Sequence, residues 1–156
     1  MKLVNKMDAG PVYIQEEIQI DETTDRLELY RRLANVGTKL LISNLDNVIE
    51  GKLRPKMQDE SRATYTKLIA KSDGEIDWNK PAKQIEREVR AYLGWPKSRT
   101  KLKRFDVILT RARIAHDKTD GELVQQCGQG WLEIQQLIAP SGRTISGAEF
   151  LRGYKN

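Results

Sequence analysis

Nine cationic side chains are the first candidates for chemistry in this chain. Lys80, Lys83, Arg87 and Arg90 recur at spacings of three and four, and Lys97, Arg99, Lys101, Lys103 and Arg104 follow with no acidic residue among them. Cations at this density neutralise phosphates and release condensed counterions, which favours a polyanion without reading its sequence. A solvated basic face is the alternative. The distribution along the chain sharpens the choice: residues 52–113 carry 17 basic and 8 acidic side chains, against 6 and 9 in residues 1–51 and 4 and 5 in residues 114–156. The surplus is confined to the middle.

Other reactive residue types offer less. His116 is the only histidine and lies in HDKTDG, a turn-like stretch with only Asp117 and Asp120 as acidic neighbours, so it reads as an exposed loop residue rather than a base or metal ligand. Cys127 is the only cysteine, which excludes an internal disulfide and reads as a buried structural thiol. Asp73, Glu75 and Asp77 alternate like an acid pair or a magnesium site, but turn-making with Gly74 and capping explain them. Neither a phosphate loop nor a dinucleotide glycine pattern is present around Gly128 and Gly130. No self-sufficient active site and no metal site is expected. The amino terminus lacks the apolar core of a signal peptide and no run suits a membrane span, so cytosol is the expected compartment.

These residues must be positioned by a small set of elements. Residues 80–92 place Ala82, Ile85, Val89 and Tyr92 in one sector of a helical wheel and the four cations nearly opposite, with Asn79 where an N-cap belongs. Glu86 and Glu88 lie where they can pair with part of that charge. The second basic group is read as a loop, bracketed by Trp95 and Phe105, which are expected in the core rather than as stacking surfaces. Phe105–Ile114, Leu123–Cys127 and Trp131–Ile138 read as strands of a small antiparallel barrel, and Ser146 with Glu149 as the capping box of a last helical turn.

Upstream, Val12–Ile20 is expected to be a short strand, and residues 24–49 a long amphipathic helix whose apolar stripe needs a cover. Residues 52–62, charged and holding Pro55, read as a linker, with a further strand near Thr64–Ile69. The expected fold is α+β: a small antiparallel OB-like β-barrel with an inserted helix, preceded by a strand and a long amphipathic helix.

ATYTKLIAKSDGEIDWNKPAKQIEREVRAYLGWP, residues 63–96, resembles the start of the carboxy-terminal domain of the methionyl-tRNA formyltransferase family. KMDAGPVYIQEEIQI at 6–20 is similar to the close of that family's catalytic domain, and GRTISGAEFLRG at 142–153 to its closing segment. The resemblance implies that residues 1–51 are a terminal remnant of a Rossmann-like catalytic domain, 52–62 a linker, and 63–156 an OB-like domain that helps hold initiator tRNA. It implies 10-formyltetrahydrofolate as co-substrate of the parent enzyme, not bound by this chain, because the family's catalytic asparagine, histidine and aspartate have no counterpart here. Asp77, Trp78, Trp95 and Pro96 map as fold-defining positions without catalytic roles. Where the family commonly has tryptophan, proline, glycine and alanine, this chain has Trp95, Pro96, Lys97 and Ser98. The partners implied are initiator tRNA and the catalytic domain of the same enzyme, with self-association through the helix at 24–49 as a further expectation and no membrane. The alternative is a carboxy-terminal module of a sugar-nucleotide formyltransferase that packs on its catalytic domain.

Overall fold

The computed structural model describes residues 1–155, and their contacts divide into two units: Met1–Thr24 with Glu28–Lys67, and Asp25–Leu27 with the residues from Leu68 onward. In the first unit, α1 (Arg26–Ile49) takes up most of the ordered backbone and has no buried residue. Leu27, Tyr30, Leu33, Leu41, Leu45 and Ile49 all remain exposed. The amphipathic helix is therefore present as expected, while its stripe has no cover among the described residues. Val12–Ile20 does not form the expected strand: Val12 makes one isolated antiparallel bridge to Lys56, with both N–H···O distances 2.8 Å. β-branched residues favour extended backbone, but no neighbouring strand supplies the rest of a ladder. Thr64–Ile69 is likewise exposed and is not a strand. The stretch read as a linker, 52–62, contains that bridge and a single 3₁₀ turn, Glu60–Arg62, whose Ser61 N–H is capped by Asp59.

The second unit is a five-stranded antiparallel sheet: β1 (Ser98–Leu102), β2 (Phe105–Ala115), β3 (Val124–Gln126), β4 (Trp131–Ile138) and β5 (Thr144–Ser146). The order is β1-β2-β4-β3, with β5 also on β4. β3 pairs with the first half of β4 and β5 with the second, so the two short strands follow one another along one edge. A register shift between Leu109 and Ala112 bends β2 across β4. The sheet is not closed, which corrects the expected barrel. Its two edges are bridged instead by the segment Glu75–Ala82: Ile76 N–H donates to Arg99 O on β1 at 2.8 Å, and Gly128 N–H, just past β3, donates to Trp78 O at 2.8 Å. The approach at Gly128 is so close that an added Cβ would lie 1.8 Å from Asn79 O. Only glycine fits there.

Two helices close the core. α2 (Ala82–Ala91) buries Ala82, Ile85 and Val89, as the wheel predicts, against Leu109, Leu132, Ile134 and Leu137. Burying a side chain such as Ile85 contributes about 1.5–3 kcal/mol. α3 (Gly147–Gly153) starts on the predicted capping box, in which Glu149 N–H donates to Ser146 Oγ at 3.2 Å and Glu149 Oε2 accepts from Ser146 N–H at 2.7 Å. It buries Phe150, whose ring meets Phe105 edge-on and stacks on Tyr154 at 5.0 Å. Phe105, expected in the core, is partly buried and packs against it. Cys127 is buried too, and loss of hydration raises its thiol pKa. No helix is long and apolar enough to cross a membrane among the described residues.

Candidate nucleic-acid interface

The expected N-cap of α2 is displaced by two residues. Pro81 occupies the position with no side-chain hydrogen bond, and Ala82 N–H is satisfied by Gln129 O at 2.8 Å. Asn79 is not free to cap, because its side-chain amide and its backbone N–H both donate to Asp77 Oδ1, at 2.9 and 3.0 Å. The three alternating acids are structural as read from sequence: Asp77 makes this turn, Asp73 Oδ2 accepts from Ala70 N–H at 2.8 Å, and Glu75 bridges β1 through its backbone. None of them gathers around a common point.

The four helix cations separate into two kinds. Arg90 forks onto Glu86, with Nε–Oε1 2.6 Å and Nη2–Oε2 3.1 Å, and Lys80 Nζ lies 2.8 Å from Glu88 Oε1. The Lys80 ammonium is held above its usual pKa by the Glu88 hydrogen bond first. Lys83 and Arg87 are exposed, one turn apart on the face opposite Ile85, and neither has a hydrogen-bond or ion-pair partner among the described residues. A rise of about 1.5 Å per residue puts their Cα atoms roughly 6 Å apart along the axis.

The second basic group is a hairpin and not a loop. Ser98, Thr100 and Leu102 face the core while Arg99 and Lys101 face outward, an alternation hidden in the sequence because only one of the three inward residues is apolar. Lys103 takes φ +55° in the tight turn to β2 and its Nζ donates to Tyr154 O at 3.2 Å. Arg104 lies over the Phe105 ring, 5.2 Å from its centroid. Lys101 Nζ is 3.9 Å from Asp106 Oδ1. Arg99 Nη1 reaches Lys71 O at 3.4 Å. A hollow on the outer face is lined by Arg99 and Lys101 but also by Glu75 and Asp106, over Ile108 and Ile138. Two cations facing two carboxylates leave it without net charge. Lys97, in contrast, is exposed with no partner among the described residues.

Three of the nine predicted cations, Lys83, Arg87 and Lys97, therefore stand unpaired at α2 and the corner after it, where Lys97 N–H donates to Tyr92 O at 3.0 Å. The others are engaged with acids, carbonyls or a ring. Two residues are poorly placed by the sequence reading. Trp95 is not core: it is 47% exposed, with its indole Nε1 donating to Ile69 O at 3.3 Å. Lys71 is a cation outside the predicted set, exposed on the turn Lys71–Gly74 that packs against the Lys97 backbone. The signal for Trp95 was available, since the next residues are Pro96 and a cation cluster rather than an apolar run. His116 is exposed beyond β2, and its backbone N–H donates to Asp120 Oδ2 at 2.9 Å.

Residues 68–155, within the longer segment of the second unit, match the family described as formyl transferase, C-terminal domain, and the chain belongs to that family. Among its relatives, the methionyl-tRNA formyltransferase of Sulfurihydrogenibium sp. is 34% identical over 168 residues, covering 99% of this chain and 54% of the relative. That of Pelobacter propionicus is 35% identical over 156 residues, covering 94% and 49%. The chain thus spans about half the length of the curated relatives it matches, in keeping with the carboxy-terminal resemblance read from 63–96. A crystal structure of a HypX variant from Aquifex aeolicus shares the fold, with TM-score 0.71 and 18% identity over 99% of this chain and 30% of that one. HypX in complex with tetrahydrofolic acid gives TM-score 0.69 at 19% identity, over 96% and 29%.

Proposed function

We propose that this chain is the tRNA-holding carboxy-terminal part of a methionyl-tRNA formyltransferase of the cytoplasm. Residues 1–51 would close the catalytic domain, 52–62 lead out of it, and 63–156 hold the substrate. In the whole enzyme, the amino group of methionine on initiator tRNA attacks the formyl carbon of 10-formyltetrahydrofolate, the bond from that carbon to N10 breaks, and tetrahydrofolate leaves with the proton that the amine gives up. The chain's own residues bind and orient the tRNA and take no part in holding the folate or moving protons at the reacting carbon.

The observation that carries this reading is the pair Lys83 and Arg87, exposed and unpartnered on a helix whose opposite face is fixed in the core. Cations carried on a helix with a buried opposite face and left without a counter-charge are suited to phosphate, since no internal pair has to be broken first. Arg90 and Lys80 would have to give up carboxylate partners at 2.6 and 2.8 Å. Filter-binding titration of initiator tRNA against the chain tests this. Binding should weaken steeply with salt, fall roughly tenfold or more at low salt in K83A/R87A, and change little in R90A. Lack of tRNA affinity even at low salt would sink the reading.

The exposed apolar side chains of α1 favour a second reading, a structural module whose main partner is its own catalytic domain, as in a sugar-nucleotide formyltransferase. Co-purification with a separately expressed catalytic domain, without tRNA affinity, would select it.

A further inference from the structure

Trp95 is a large aromatic side chain left at the surface of the second unit but not left loose. Its Nε1–H is tied to Ile69 O at 3.3 Å, and the carbonyls of Leu93 and Trp95 both accept from Arg26 Nη1, at 3.1 and 3.3 Å. Backbone and indole are therefore pinned from two sides while nearly half of the residue stays open to solvent. The surroundings are cationic. Lys97 follows two residues on, exposed, unpartnered and in the left-handed region at φ +73°. Lys71 follows two residues after the carbonyl that anchors the indole, and Arg99 Nη1 lies 3.4 Å from Lys71 O. An added Cβ on Gly74 would fall 2.2 Å from Lys97 O and 3.3 Å from Arg99 Nη1, so the Lys71–Gly74 turn and the Lys97–Arg99 corner are in close contact. The nearby carboxylate of Asp73 is spent on Ala70 N–H.

A half-open indole anchored on its ring nitrogen, with the exposed Lys71 and Lys97 on the two segments beside it, has the chemistry of a base-stacking platform: the ring takes the face of a base and the cations take the flanking phosphates. We propose that Trp95 stacks on an unpaired base of the bound RNA, with Lys97 and Lys71 on the adjoining phosphates. This rests on the tRNA-binding reading and adds a base contact to it. Stacking is blind to base identity, so the platform selects an unpaired nucleotide and not a sequence.

Tryptophan emission of the full chain, followed while initiator tRNA is added, tests the proposal beside filter binding of the same samples. Saturable quenching is expected in the wild type. W95F should bind within about twofold of wild type yet lose most of the quench, because phenylalanine stacks but does not report. W95L, apolar but not aromatic, should bind about tenfold more weakly with the salt dependence unchanged, whereas K97A should reduce that dependence. Circular dichroism checks that each variant is folded. Binding on the filter with no quench, or W95L binding as well as W95F, overturns the platform and leaves the tRNA reading standing. Absence of filter binding at low salt overturns both.

Discussion

Two adjacent residues, Lys97 and Ser98, stand where the family resemblance leads one to expect glycine and alanine, and each is at odds with its surroundings. Lys97 takes φ +73°, a region that costs a residue with a Cβ roughly 1–2 kcal/mol. Ser98 is 2% exposed and its Oγ has no hydrogen-bond partner among the described residues. A buried hydroxyl in that state costs about 1–3 kcal/mol. Ser98→Ala should therefore raise the urea midpoint, by about 1–2 kcal/mol of stability, with tRNA binding untouched. Lys97→Gly should stabilise by about 0.5–1 kcal/mol while removing one phosphate contact, lowering low-salt affinity and the salt slope by about 1. A destabilised glycine variant would show that the left-handed lysine carries no strain.

The elements are held to one another by polar contacts that the sequence does not announce. Arg113 on β2 reaches Asp120 in the following turn, Nη2–Oδ1 2.8 Å, and also Glu133 on β4, Nε–Oε2 2.6 Å. The Arg113 side chain first, and then the His116 backbone N–H, hold the Asp120 carboxyl well below the usual carboxylate range. The unfolded chain then takes up this proton first, near pH 4, so the stabilisation is full above that value and is lost as pH falls through the lower folded pKa. Urea midpoints measured from pH 6 to pH 2.5 should fall less steeply in D120N than in the wild type. Superimposable curves would remove Asp120 from the acid response. Glu149 is displaced in the same direction by the Ser146 backbone N–H and hydroxyl, so D120N should keep part of the slope.

At the scale of the whole molecule, a surplus of 17 basic over 8 acidic residues in 52–113 overstates what a polyanion meets. Lys80, Arg90, Lys101 and Arg113 are already paired with acids. If Lys83, Arg87, Lys97 and Lys71 make the phosphate contacts, log K against log salt should fall with a slope near −3 to −4, taking about −0.7 to −0.9 per phosphate. A slope near −6 to −8 would mean that the paired cations let go of their partners on binding. The stripe of α1 belongs to this scale as well, because a helix with no buried residue leaves its apolar face to another surface. L33D/L45D should abolish association with a separately expressed catalytic domain in a pull-down while leaving tRNA binding unchanged.

Periodicity made α1, α2, β2 and β4 legible, since each repeats apolar residues at 3.6 or 2, and local capping chemistry made the start of α3 legible through Ser146 and Glu149. The nine cations were equally plain as residues. What the sequence by itself could not decide was which of them are free, because Lys80 meets Glu88 eight residues away and Lys103 meets Tyr154 across the fold. Nor could it show how the edges of the open sheet are bridged: that depends on Gly128 receiving the backbone of Trp78–Lys80, a pairing of segments almost fifty residues apart. β1 escaped for the same reason, its inward Ser98 and Thr100 being buried only by what lies across from them, with Thr100 Oγ1 accepting from Trp78 Nε1 at 2.9 Å. The size of Trp95 alone favours the core, and the chain leaves it outside because the corner it occupies is pinned by Ile69 and Arg26 instead of being covered. Local pattern set the elements and the charge; long-range contact decided which charges and which ring remain available to a partner.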